Sequence, residues 1–117
     1  KTTLSYLSKG GKIDNEGEPI KTIKLDSVDF KTNEKKINGI KIDTEGEDLK
    51  VLQGSLQLIK KFKPKIIIEI RNENKSDIQK FFEKLNYKLF SVNDLNNEIN
   101  LINLNIDRVL NIYCKPT

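Results

Sequence analysis

The sequence predicts an α/β fold: a mostly parallel sheet flanked by helices, with the last strand antiparallel. Three observations lead there. The apolar run Ile40-Lys41-Ile42 ends in Asp43-Thr44-Glu45-Gly46, and a helical pattern starts at once. A second apolar run, Lys65 to Ile70, follows Pro64 and carries Glu69 near its end. A second helical pattern then leads to two further strands. Strand, helix and strand in that order form a unit whose strands run parallel. Its acidic residues arrive together at the carboxyl edge of the sheet, where open α/β sheets bind ligands.

Each element has its own signal. Leu4, Tyr6 and Leu7 suit a short strand, broken by Lys9-Gly10-Gly11. Asp14 to Pro19 is turn chemistry, and Ile20 to Leu25 is a strand rich in β-branched residues, so the two strands should form a hairpin. Asp26 and Ser27 are placed to cap one helical turn containing Val28 and Phe30. Lys31 to Asn38 is a polar connection, and Gly39 to Ile42 a short strand.

Thr44-Glu45-Gly46-Glu47 has the form of a capping box. From Leu49, the residues Leu52, Leu56, Ile59 and Phe62 keep a helical rhythm, widened by Val51 and Leu58. Gly54 falls inside this helix, and close packing of helix on sheet would compensate for it. Pro64 ends the helix and should force Lys63 toward extended geometry. Lys65 to Ile70 holds four isoleucines with little alternation, as in a strand buried on both faces.

Ser76 to Gln79 forms a second capping box, and Ile78, Phe81, Phe82 and Leu85 the inward face of its helix. Asn86 suits a left-handed terminus. Tyr87 to Val92 reads as a strand, Asn93 to Asn105 as an asparagine-rich loop with a short hairpin around Leu101, and Arg108 to Cys114 as the final strand. No helix separates these last two strands, so they should be antiparallel neighbours. The expected organisation is a single domain over 1–117: a hairpin and connection over 1–38, then a strand-helix-strand-helix-strand-strand core over 39–117.

Composition narrows the function. The net charge of +4 rests almost wholly on lysine, since Arg71 and Arg108 are the only arginines. Lysines scattered among acids do not form a nucleic-acid stripe. Nucleic acid is therefore not an expected partner. No apolar run approaches the roughly 20 residues of a membrane span, and no membrane partner is expected. Cys114 is the sole cysteine and histidine is absent, which removes an internal disulfide, the usual zinc sites and Ser/His or Cys/His catalysis. A cytoplasmic location follows as the expectation. No glycine-rich phosphate loop follows any strand, and no metal-ligand set is assigned.

The candidate chemistry lies at the strand ends. Asp43 precedes the turn and should project from the strand tip toward solvent or ligand. Glu45 follows two residues later beside a helix start, which favours negative charge. Glu47 and Asp48 read as complements to the helix dipole. Glu69 ends an apolar strand, where an unpaired carboxylate is costly. It either reaches the rim of a pocket or pairs with Lys41, Lys65 or Arg71. Arg71 suits a carboxylate or phosphate of a substrate, or an ordinary surface pair.

The ordered set Ile40-Lys41-Ile42-Asp43-Thr44-Glu45-Gly46, Val51-Leu52-Gln53-Gly54 and Pro64-Lys65-Ile66-Ile67-Ile68-Glu69-Ile70 resembles the FkbM family of S-adenosylmethionine-dependent methyltransferases. Ile23-Lys24-Leu25-Asp26 upstream and Asn86-Tyr87 downstream extend the resemblance over about residues 20 to 114. It implies the carboxyl-terminal half of a Rossmann-like methyltransferase fold, with the glycine-rich loop for the cofactor lying upstream of Lys1. It further implies S-adenosylmethionine as cofactor and O-methyl transfer to a hydroxyl of a small-molecule or saccharide acceptor. Asp43 and Glu45 would be catalytic, Asp43 also near the cofactor, with Glu69 and Arg71 on the substrate side. The chain alone would then bind cofactor weakly and be inactive. Two other classes stand beside this one. A non-catalytic half-domain would act as an interaction or assembly module and self-associate through an exposed sheet edge. A magnesium-dependent phosphoryl-transfer domain would use the paired carboxylates as metal ligands.

Overall fold

The computed structural model describes residues 2–7, 18–27 and 37–117. The predicted hairpin is present: β1 (Thr2–Leu7) pairs antiparallel with β2 (Glu18–Ile23), Leu4 opposite Lys21. The second strand begins at Glu18 rather than Ile20, and Pro19 lies within it. A strand of a two-stranded ribbon has one free side, so a missing N–H is tolerated there. Residues 14–17 of the expected turn, the helical turn expected at Val28 and Phe30, and most of the polar connection lie outside the described residues. After β2 the chain makes a 3-10 turn, Leu25–Ser27.

The larger sheet holds β3 (Gly39–Ile42), β4 (Lys65–Ile70), β5 (Tyr87–Ser91), β6 (Asp94–Glu98) and β7 (Leu110–Pro116) in the order β3-β4-β7-β5-β6. Only β3 and β4 pair in parallel; β4 with β7, β7 with β5 and β5 with β6 are antiparallel. The sheet is thus mixed rather than mostly parallel, because β7 returns between β4 and β5. The last strand is antiparallel, as expected. Strands β3, β4 and β5 still run the same way, so their carboxyl ends share one edge. The fourth core strand, β6, was not expected. Every residue of Asp94–Glu98 is exposed, so no apolar alternation could announce it; backbone pairing across the Val92-Asn93 turn creates it. The hairpin expected around Leu101 is instead a 3-10 turn, Leu101–Asn103, with Leu101 fully buried.

The single helix expected after β3 is two: α1 (Asp48–Gln53) and α2 (Leu56–Phe62). The break at Gly54-Ser55 has specific partners. Gly54 O accepts the N–H of Asp26 at 2.9 Å, and Ser55 Oγ donates to Val51 O at 2.7 Å. The Asp26 carboxylate caps α2, with Oδ2 accepting from Gln57 N–H and Oδ1 from Leu58 N–H, both at 2.9 Å. A β-carbon on Gly54 would meet the Lys24 stem at 3.5 Å and Lys50 O at 3.4 Å, so its close neighbours are not the sheet. Lys63 is not extended but left-handed, at φ 49° and ψ 50°, closing α2 ahead of Pro64. Asn86 is left-handed, as expected, with φ 60°. Helix α3 (Lys75–Lys84) starts one residue before Ser76, so the second capping box does not form.

One face of the sheet carries the core. Ile66, Ile68, Ile70, Ile112 and Cys114 are fully buried there against Leu52, Ile59, Ile78 and Phe82 of the helices. The strand β4 was expected to be buried on both faces; it alternates instead, and Ile67 is 39% exposed. In register with Ile67 on that second face stand Tyr113 and then Phe90, whose rings lie 6.3 Å apart. No helix among the described residues is long and apolar enough to cross a membrane.

Candidate active site

The parallel pairing sets the site. Ile42 stands opposite Ile68, so the next residue on each chain, Asp43 and Glu69, comes at the same level of the carboxyl edge. Residues opposite one another in a ladder point to the same face. Strand β7 continues the edge, with Asn111 opposite Glu69 and Leu110 opposite Ile70. Thus Asp43 and Glu69 come to one edge, as the sequence predicts, and Arg71 follows two residues after Glu69. Glu45 lies in the turn that follows β3.

That turn is sharp because two consecutive residues take positive φ: Glu45 at 51° and Gly46 at 102°. The second value suits glycine alone, and a β-carbon built there meets no atom within 4 Å. The turn is closed by Thr44 and Asp48. The Thr44 N–H donates to Asp48 Oδ1 at 3.0 Å, and its hydroxyl donates to the same oxygen. Asp48 is 1% exposed. The capping box predicted from Thr44 and Glu47 is therefore replaced: Asp48 accepts from Thr44, and Glu47 pairs with Lys50 at 3.2 Å on the surface. Asp48 is a structural clasp, not merely a dipole partner. It holds the turn so that Asp43 and Glu45 both emerge exposed.

Glu69 pairs with Arg71 at 3.8 Å rather than with Lys41 or Lys65. The Arg71 side chain is 38% exposed and that of Glu69 19%, so the pair is weak, worth at most about 1 kcal/mol. Both groups remain close enough to solvent to exchange partners with a ligand.

Three residues outside the candidate set shape the rest of the edge. Asn72 donates through Nδ2 to Ile106 O at 2.6 Å and accepts the Ile106 N–H at Oδ1 at 3.0 Å. Lys75 Nζ donates to Leu104 O. Gln79 Oε1 accepts the Leu101 N–H at 2.8 Å. Together they bind the irregular segment between β6 and β7 to the start of α3. A polar residue 22 to 34 positions away from its backbone partner leaves no local pattern to read.

The described residues provide a turn with open space over Gly46 and carboxylates at the strand tips. No glycine-rich loop follows a strand among them. No group of three or more His, Cys, Asp or Glu is near enough to hold a metal ion, again among the described residues. A family model described as the methyltransferase FkbM domain matches residues 2–99. Neither a curated protein nor a solved structure matches the chain.

Proposed function

The chain belongs to the FkbM methyltransferase family, and from that premise we propose that its carboxyl edge serves S-adenosylmethionine-dependent O-methyl transfer to a hydroxyl of a small-molecule or saccharide acceptor. The observation that carries this reading is the shared level of Asp43 and Glu69 at the tips of two parallel strands. The fold proposed for the intact site is Rossmann-like. The bound cofactor supplies a methyl group made electrophilic by its sulfonium. The chain's own residues do the rest. Asp43 accepts a hydrogen bond from the acceptor hydroxyl, orients it and takes its proton as the methyl moves. Glu45 stands at the same turn as a second carboxylate facing the reaction. Glu69 and Arg71 bind the acceptor, each giving up a weak partner to do so. The buried free thiol of Cys114 suits a reducing compartment, and we place the protein in the cytoplasm.

The test is methyl transfer by the native gene product from methyl-labelled S-adenosylmethionine to a panel of sugars and hydroxylated natural products. Label recovered as an alkali-stable ether supports O-methylation. Label recovered as a base-labile ester, or none with any acceptor while S-adenosylhomocysteine does not bind, would sink the reading.

One observation favours a second reading, the assembly module. Ile67, Tyr113 and Phe90 form an in-register apolar row on the face away from the described helices, and β3 pairs on only one side among the described residues. A partner strand or sheet face would cover these surfaces. Sedimentation that shows a monomer at high micromolar concentration would dismiss it.

A further inference from the structure

Between the ends of β5 and β7 and the segment that joins β6 to β7 lies a concavity of about 330 Å³. Its walls are Ser91, Ile99, Leu104, Ile106, Val109 and Leu110, with Asn105 and Asp107 also lining it. Leu110 pairs with Ile70, and Ser91 with Ile112, which itself pairs with Ile68. The hollow therefore lies at the same carboxyl edge as Asp43 and Glu69, lined from the face of the sheet that carries the core. Its size falls at the small end of ligand sites, so it suits one portion of a molecule whose remainder lies on the strand tips.

We propose that this concavity is an acceptor subsite that seats an uncharged aliphatic or alicyclic portion of the methyl acceptor, and that Asn72 fixes its wall. The role as acceptor subsite rests on the function proposed above. The chemistry follows from the lining. Five of the named walls are aliphatic, and Val109 is 36% exposed with Leu110 half-buried, so apolar surface stands open to water. No lysine or arginine lines the hollow. The one ionisable side chain there, Asp107, is acidic, which disfavours a phosphate or carboxylate. The wall is also held in place. Asn72 takes both the N–H and the C=O of Ile106, Lys75 takes Leu104 O, and Gln79 takes the Leu101 N–H. Leu101 and Ile106 are buried at 0% and 4% exposure. A segment without strand or helix acquires a set shape from these side chains, as a site formed before its ligand requires.

The test uses the isotopically labelled native gene product without cofactor, titrated in two-dimensional amide spectra with hexyl β-glucoside, methyl β-glucoside and hexyl phosphate. Hexyl β-glucoside should shift the amides of Ser91, Ile99 and Leu104 to Leu110, and the other two probes should bind roughly tenfold more weakly or worse. Val109→Asp, at an exposed position that folding tolerates, should weaken the hexyl glucoside by a similar factor. Asn72→Ala should lower the affinity and speed exchange of the Ile106 amide. No shifts, shifts elsewhere, equal binding of the methyl glucoside or the phosphate, or unchanged affinity in Val109→Asp would each overturn the subsite. Unchanged affinity in Asn72→Ala would remove its positioning role. Because no cofactor is present, failure here is separate from failure of methyl transfer. A protein that seats the probe and transfers no methyl group would overturn the function and leave the subsite standing.

Discussion

The Asp26 carboxylate accepts the Leu58 N–H at 2.9 Å across 32 positions of sequence, while the Asp26 N–H donates to Gly54 O. One residue thus caps α2 and donates to the carbonyl of Gly54, just past the end of α1. The 3-10 turn after the hairpin is tied in this way to the helices that follow β3. Asp26→Ala should lower stability by about 1 kcal/mol, measured by denaturant unfolding, with Asp26→Asn losing less. An unchanged midpoint in the alanine variant would show that water replaces the cap without cost.

Gln79 offers a buried counterpart. Its Oε1 accepts the N–H of Leu101, which is fully buried. Gln79→Ala leaves that donor without a partner and should cost about 1–3 kcal/mol. Exchange of the Leu101 amide should accelerate with it.

The glycines at 46 and 54 should respond differently to alanine. Gly46 has φ 102°, and its substitution strains the backbone although space is free. Gly54 has φ −75°, and a β-carbon there makes ordinary contact with Lys24 and Lys50. Gly46→Ala should destabilise by about 1 kcal/mol or more and Gly54→Ala by much less, as thermal unfolding will read.

Stability should fall at alkaline pH. Burial pushes the Tyr87 hydroxyl from 10.0 up to about 12 and the Cys114 thiol well above 9.0. The unfolded chain then releases these protons first, so it is favoured as pH rises. The Cys114 contribution begins to be lost near pH 9 and that of Tyr87 between pH 10 and about 12. Tyr87→Phe should flatten the upper part of the decline, though it also forfeits the 2.6 Å bond from the Tyr87 hydroxyl to Pro64 O. An identical slope in Tyr87→Phe would contradict the assignment.

What the sequence makes legible is what local pattern determines. Gly39–Ile42 and Lys65–Ile70 have the predicted ends, because apolar runs bounded by Gly, Pro and acids permit little else. The left-handed Asn86 and the antiparallel pairing of β5 with β7 follow for the same reason. The placement of Asp43 and Glu69 at one edge is a consequence of parallel strands, and it too could be read in advance. The failures share a different cause. Asp26, Asn72 and Gln79 satisfy backbone groups that are distant in sequence, and no local spacing encodes such partners. The Asp26 cap breaks a helix whose apolar rhythm is continuous through Gly54. Thr44 finds Asp48 where the motif offers Glu47. Strand β6 exists through backbone pairing alone. The openness of one side of β4 depends on what packs beside it, which an isoleucine run does not record.

Asp43 carries the proposed chemistry. The most direct measurement compares wild type and Asp43→Asn in the native gene product, reading methyl transfer from S-adenosylmethionine and, separately, affinity for S-adenosylhomocysteine. A carboxylate that orients the acceptor hydroxyl and takes its proton should give a loss of turnover of roughly a hundredfold or more, with cofactor affinity changed by no more than about threefold. Equal turnover in the two proteins would contradict it and return Asp43 to the role of a solvated strand end.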